Sequence, residues 1–268
     1  VTGVQTCALP ISTTTAAISL FVSSSGSDSN DGLTVGTPLL TLQAALAKVP
    51  KLIFHNVTIS LAAGTYAGPY DLTGYTVDPN VLFTITGAMA AATVATGTST
   101  GTVGTVTAAS GATVPQSFVD LSQTWTVNDL RGKWVSFNGS TTYRMICANT
   151  STSITLVGTG TITAGQSYAI LTPTATLLNS ASTTSTVMVE NNFSGVASIL
   201  FTMLNISSTF ASGTAFSSRA GWSICRYCAI SSVGTGVTSF AGSLSLGVCF
   251  VSTTGVGINN RASTRSEE

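Results

Sequence analysis

Between residues 200 and 258, apolar residues recur at every second position in short bursts separated by Ser, Thr and Gly. Residues 227–237 superimpose on residues 248–258 at an offset of 21, and residues 203–208 fit the same frame 24 positions earlier. Side chains two apart on a strand share a face. The pattern therefore predicts three inward columns: Leu204 with Cys228 and Cys249, Ile206 with Ile230 and Val251, and Phe201 with Cys225 and Leu246. A strand-based period of about 20–25 residues is a solenoid signature, read here as coils of a parallel β-helix stacked about 4.8 Å apart. Gly234 and Gly255, and likewise Gly236 and Gly257, are expected where the chain turns corners. Helical repeats fit less well, because Ser, Thr and Gly are poor helix-interior residues.

Upstream, a short strand at residues 20–22 runs into a loop of turn formers. Leu42, Ala45, Leu46 and Val49 follow the i, i+3, i+4, i+7 spacing of a short amphipathic helix, which Pro50 ends. Val57–Leu61 alternates as a strand. From residue 87 to residue 172 the coil pattern gives way to a hairpin rhythm, with strands expected at 134–137, 143–147, 153–157 and 168–171 between Asn-Gly-Ser and Asn-Thr-Ser turns. The expected organisation is a cap and first coils at 12–86, an inserted antiparallel β-module at 87–172, and further coils at 173–264.

A resemblance extends this reading. Residues 21–23, the loop 26–32, Pro38, residues 41–45 and the Ile59-x-Leu61-x-x-Gly64-x-Tyr66 stretch are similar to the N-terminal part of pectin-lyase-like, right-handed parallel β-helix proteins. The resemblance covers residues 20–66 and implies that the helix caps the open end of the solenoid. That superfamily includes polysaccharide lyases and hydrolases, bacterial surface proteins and phage tailspikes, and fold alone does not choose among them. Inserts like residues 87–172 occur in phage-type members. The implied protein is a structural, glycan-binding β-helix of phage-tail or bacterial cell-surface type, extracellular or virion-associated. Its implied partner is a polysaccharide or cell-surface glycan, and resemblance to tailspikes implies a homotrimer at full length. The alternative is a secreted polysaccharide lyase or glycoside hydrolase whose catalytic coils are missing.

Composition narrows the classes. Only 7% of the 268 residues are charged and 44% are hydrophobic, with formal net charge zero. An unfolded chain would be richer in charge or poorer in apolar residues, and a nucleic-acid partner would call for a basic stripe. Neither is present. The most apolar stretch, residues 44–59, is broken by Lys48, Pro50, Lys51 and His55, so a membrane span is not expected.

Candidate chemistry is sparse. Asp28, Asn30 and Asp31 carry the oxygen ligands that Ca²⁺ takes, but such an Asx-rich turn commonly caps backbone amides instead. The turn is the preferred reading, and no cofactor other than Ca²⁺ is suggested. Cys225 and Cys228 form a C-x-x-C. Residues three apart on one strand face opposite ways, so the pair is read as buried small residues in the coil columns. His55 lacks a Ser/Asp partner set. Glycosidases need two carboxylates at one site, and in residues 174–264 Glu190 is the only acid, so no catalytic residue is assigned. Trp222, Arg226 and Tyr227 are the candidate glycan contacts. Tyr66, Tyr70, Tyr75, Trp125 and Trp134 fit sugar stacking or, more commonly, core filling.

Residues 1–11 and 265–268 resemble translated sequencing adapters. They are set aside from fold reasoning, and 12–264 is expected to be an open-ended piece of a larger protein of metagenomic origin.

Overall fold

The computed structural model describes residues 12–91, 103–105, 108–109, 116–157, 162–180, 185–190, 198–220, 222–240, 243–247 and 249–261. The two adapter-like ends, residues 1–11 and 265–268, lie outside this set.

Three parallel sheets carry the main core. The first holds Ile18–Val22, Val57–Leu61, Phe83–Thr86, Ser198–Thr202, Trp222–Arg226 and Ser243–Gly247. The second holds Gly64–Ala67, Ala175–Asn179, Leu204–Ser208, Ala229–Ser232 and Phe250–Thr253. The third holds Tyr70–Asp71, Val187–Glu190, Thr214–Ala220, Thr235–Phe240 and Ile258–Arg261. The chain visits them in the order first, second, third, and repeats that order from Val57 to Arg261. Each pass is one rung of a β-helix-like stack, and the rungs are numbered one to five from Val57.

Register makes the columns explicit. Ile206 pairs with Ile230, and Ile230 with Val251. The same column continues back through Leu177 to Tyr66. On the first sheet, Leu20, Ile59, Ile85, Phe201, Cys225 and Leu246 align in turn. On the third, Tyr70, Val187, Phe216, Val237 and Ile258 do the same. Most of these side chains are buried in one cluster, which the helix Leu42–Lys48 joins through Leu42, Ala45 and Leu46. Thr41 caps that helix: its Oγ1 accepts from Ala44 N at 3.1 Å.

The corners have their own chemistry. Between first and second sheets, Met203 and Tyr227 both adopt φ 55°, a left-handed conformation that costs a non-glycine residue about 1–2 kcal/mol. This corner corrects the face argument for Cys225 and Cys228. The two lie on successive strands with the Tyr227 turn between them, so both point inward and both are fully buried. Their sulfurs and that of Cys249 carry no disulfide. Burial pushes the Cys228 thiol well above its usual range, and contact with Cys228, then burial, does the same to Cys249.

Between second and third sheets, glycine is required by close approach. A Cβ on Gly234 would lie 2.5 Å from the Gly213 carbonyl oxygen, and one on Gly255 would lie 2.4 Å from that of Gly234. Ser232 ties this corner by donating to Gly213 O at 3.0 Å and accepting from Gly234 N at 3.1 Å. Gly236 differs from the corner expectation. It lies within the strand Thr235–Phe240, where an added Cβ would meet the Gly257 carbonyl at 2.7 Å.

Rung two is interrupted. Its first strand ends at Thr86 and its second begins at Ala175. The intervening chain contributes all eight strands of an antiparallel sheet. Trp134–Phe137, Arg144–Asn149, Ser153–Leu156 and Ser167–Pro173 are among its strands. Phe118, Trp125, Leu130, Ile146, Ile154 and Tyr168 are among the residues of its separate core.

Deleting a column residue is expected to be costly. Ile230→Ala should lower stability by about 2–5 kcal/mol, whereas Ser231→Ala, one residue on and exposed, should stay within about 0.5 kcal/mol. Urea unfolding followed by far-ultraviolet circular dichroism measures both.

Candidate functional site

The Asx-rich loop is built into the cap. Asp28 accepts from Leu40 N and Thr41 N, both at 2.9 Å, and from the Thr41 hydroxyl at 2.9 Å. It thereby fixes the residue that caps the helix. Asp31 accepts from Leu33 N at 3.0 Å and Thr37 Oγ1 at 2.8 Å, and Asn30 Nδ2 donates to Pro38 O at 2.8 Å. Desolvation opposes ionisation of Asp28, but hydrogen bonds from Thr41 and Leu40 outweigh it and lower its pKa. For Asp31, the bonds from Leu33 and Thr37 set the same direction. Among the described residues, no three His, Cys, Asp or Glu side chains gather as a metal-ligand set.

Most of the candidate aromatics fill cores. Tyr66, Tyr70, Tyr75, Trp125 and Trp134 are all buried. Tyr75 donates to Leu46 O at 2.8 Å, and burial pushes its pKa up to about 12. His55 stands at the chain's entry, with its Nδ1 3.0 Å from Thr14 O, while Thr14 Oγ1 accepts from Phe54 N and His55 N. A cleft of about 590 Å³ opens beside the cap helix, lined by Gln43, Leu46, Lys51, Tyr70, Asp71 and Tyr75 among others. Of the candidate aromatics, Tyr70 and Tyr75 line it; Trp222, Arg226, Tyr227, Asp28, Asn30 and Asp31 do not.

A buried carboxylate does occur in the antiparallel layer. Asp120, just past the strand Gln116–Val119, accepts from Tyr168 OH at 2.7 Å, Ser122 Oγ at 2.6 Å, Ser122 N at 3.0 Å and Gln123 Nε2 at 3.2 Å. Burial alone would raise its pKa, but these donors, Ser122 and Tyr168 first, bring it below the usual value. Burial and Asp120 together push Tyr168 far up. With its acceptor capacity spent on this network, Asp120 serves the layer's core.

Two of the three predicted glycan contacts, Arg226 and Tyr227, fall at the corner between first and second sheets on rung four, whereas Trp222 begins the strand that leads to it. Arg226 ends the strand Trp222–Arg226 and is exposed; Tyr227 turns the corner and is half-buried. Thr202 and Gly247 flank Arg226 on the neighbouring rungs. Trp222 pairs in the strand with Ser198 and Ser243, but its side chain lies outside the described set, as does that of Glu190.

The layer reaches this corner. The Tyr143 and Tyr227 ring centroids are 5.2 Å apart at 88°, the edge-to-face arrangement aromatic pairs favour. Gly132, at φ 81°, lies against Phe250 so closely that a Cβ would come within 2.6–2.8 Å of the ring. Chain spacing gave no signal of either contact, because each joins residues more than eighty positions apart.

No protein-family model matches the chain, and no curated protein matches it. Among solved structures it is similar to a glycoside hydrolase, with TM-score 0.29 and 10% identity, over 82% of this chain and 67% of that one. It is also similar to the tailspike gp49 of Pseudomonas phage LKA1, with TM-score 0.23 and 8% identity, over 73% and 34%. For the tailspike gp61 of Pseudomonas phage phi297 the values are 0.26, 9%, 83% and 43%. The chain thus spans less than half the length of either tailspike. TM-scores this low leave the fold to be defined by the strand pairing itself. No described helix is long and apolar enough to cross a membrane.

The Asp120 network sets a pH dependence. Its folded pKa lies below the unfolded value of about 3.9, so its stabilisation is full above that value and is lost as pH falls through the folded pKa. Asp120→Asn should cost about 1.5–3 kcal/mol at pH 7, the scale of hydrogen bonds to a charged group. It should also flatten the stability profile between pH 5 and 2, measured by urea midpoints across that range.

Proposed function

We propose that this chain is part of a right-handed parallel β-helix that binds glycan chains and serves as a rigid structural element. The proposed setting is a phage tail or a bacterial cell surface, outside the producing cell or on the virion. The right hand follows from the strong general preference of parallel crossovers. In this reading, residues 12–86 and 173–264 are solenoid and residues 87–172 an inserted module.

One observation carries the binding reading: an exposed guanidinium and a half-buried tyrosine ring side by side on an outer corner, Arg226 and Tyr227. Tyr227 turns the corner at φ 55° and takes no part in the main core. A tyrosine ring supplies an apolar face for a pyranose, and arginine supplies a planar fork of donors for sugar oxygens. No carboxylate pair stands at this corner among the described side chains, so the proposal is binding without bond cleavage.

The test is an array of purified bacterial surface polysaccharides probed with the folded protein. Retention on at least one glycan is expected, with no release of shortened chains. Arg226→Ala and Tyr227→Asn, the latter chosen because Asn tolerates the left-handed conformation, should each weaken it about tenfold, near 1.4 kcal/mol. An array on which the wild type binds nothing sinks the proposal.

A further inference from the structure

The antiparallel layer leaves and rejoins the solenoid on rung two, yet it touches rungs four and five. It therefore overhangs the second sheet and ends against the corner that carries Arg226 and Tyr227. Two contacts fix it there. Tyr143 stands edge-to-face with Tyr227. Gly132 lies under Phe250, whose rung neighbour is Ala229, two residues beyond Tyr227.

Each contact brings a further group to the corner. Arg131, next to Gly132, is exposed, and its loop is set by Arg131 N donating to Asn128 O at 3.2 Å and Gly132 N donating to Ile146 O at 2.9 Å. Tyr143 is half-buried, and the next residue, Arg144, is held by its Nη1 donating to Gln116 Oε1 at 2.7 Å. The floor under the overhang is polar. Asn205 Nδ2 donates to Pro173 O at 3.0 Å and Ser231 Oγ to Ser207 Oγ at 3.0 Å.

We infer that the glycan surface is composite, with Tyr143 and Arg131 of the antiparallel layer completing what Arg226 and Tyr227 begin. The inference rests on the glycan-binding reading above. Tyr143 acts as a positioning residue: its edge against Tyr227 fixes the ring on which a sugar would lie. Arg131 supplies a second guanidinium, so that an extended saccharide chain meets donors from both parts of the protein. The ligand class is an oligosaccharide long enough to span the junction, rather than a single sugar.

The experiment uses the same polysaccharide array, followed by titration of the best-retained polysaccharide and of its monosaccharides. Arg131→Ala and Tyr143→Ala should each weaken the polymer about tenfold. Tyr143→Phe, which keeps the ring edge, should bind like wild type. Arg219→Ala removes an exposed cation away from the junction and should also bind like wild type, which controls for net charge. Monosaccharides should bind at least a hundredfold more weakly than the polymer. Circular dichroism of each variant checks folding, and Arg131→Ala, an exposed change, keeps the test open if Tyr143→Ala unfolds. Wild-type affinity in Arg131→Ala, and in Tyr143→Ala where that variant folds, together with loss in Arg226→Ala overturns the composite surface but leaves the binding reading standing. Undiminished binding in Arg226→Ala and Tyr227→Asn as well removes both.

Discussion

Everything in this molecule depends on parallel strands stacking in register from rung to rung. A parallel ladder spends each strand's backbone donors and acceptors on the strands before and after it. That fixes the strand spacing, so each inward side chain must sit directly against its counterpart one rung away. The Tyr66, Leu177, Ile206, Ile230, Val251 column shows the consequence. Sizes vary from tyrosine to valine, but apolar character and facing do not. A slip of one residue would turn a whole strand's core face outward. This is why the protein can be poor in charge: its ladders and apolar columns leave the outward faces to Ser, Thr and Asn.

The same constraint explains the corners. Where the chain bends without leaving the stack, backbones on adjacent rungs approach closely. Gly234 and Gly255 meet this by having no Cβ to collide with the rung before. Met203 and Tyr227 meet it by adopting a left-handed backbone despite bulky side chains. The second solution is costly locally, and a cost of this kind points to use. At Tyr227 the half-buried ring packs edge-to-face with Tyr143 and takes no part in the main core.

Much of this was legible in the sequence where the repeat is regular. Rungs four and five differ by a constant offset, so Ile230 and Val251 could be matched by counting. Rungs one and two could not, because rung two is split, and Ile85 meets Phe201 only across the whole insertion. Cys225 and Cys228 show a subtler limit: alternation holds along one strand, and a corner between two residues resets it. The aromatic side chains were ambiguous for a different reason. A tyrosine fits a core or a sugar face equally well in sequence, and only burial separates Tyr75 from Tyr227. The junction contacts Tyr143–Tyr227 and Gly132–Phe250 had no signal at all, since neither part's periodicity refers to the other.

The placement of the insertion follows from the corner as well. A stack of parallel rungs can admit extra chain only where entry and exit are already close, or the ladders on either side would be pulled apart. Here the neck is zipped by antiparallel pairing of Met89 with Pro173 and of Ala90 with Thr172. Thr174 N donates to Ala88 O at 2.9 Å just below. To the rest of rung two, the insertion therefore looks like a short corner. Closing a longer loop costs little more, about 0.6 kcal/mol for each doubling, and the layer offsets this with its own core around Phe118, Ile146 and Tyr168. Gly87, immediately before the neck, lies under Met203, whose carbonyl oxygen would be 2.3 Å from any added Cβ. The neck is thus clamped by the left-handed corner of rung three. The clamp at Met203 and the contact at Tyr227 belong to equivalent corners of adjacent rungs, so one row of corners both anchors the layer at its root and receives its far end.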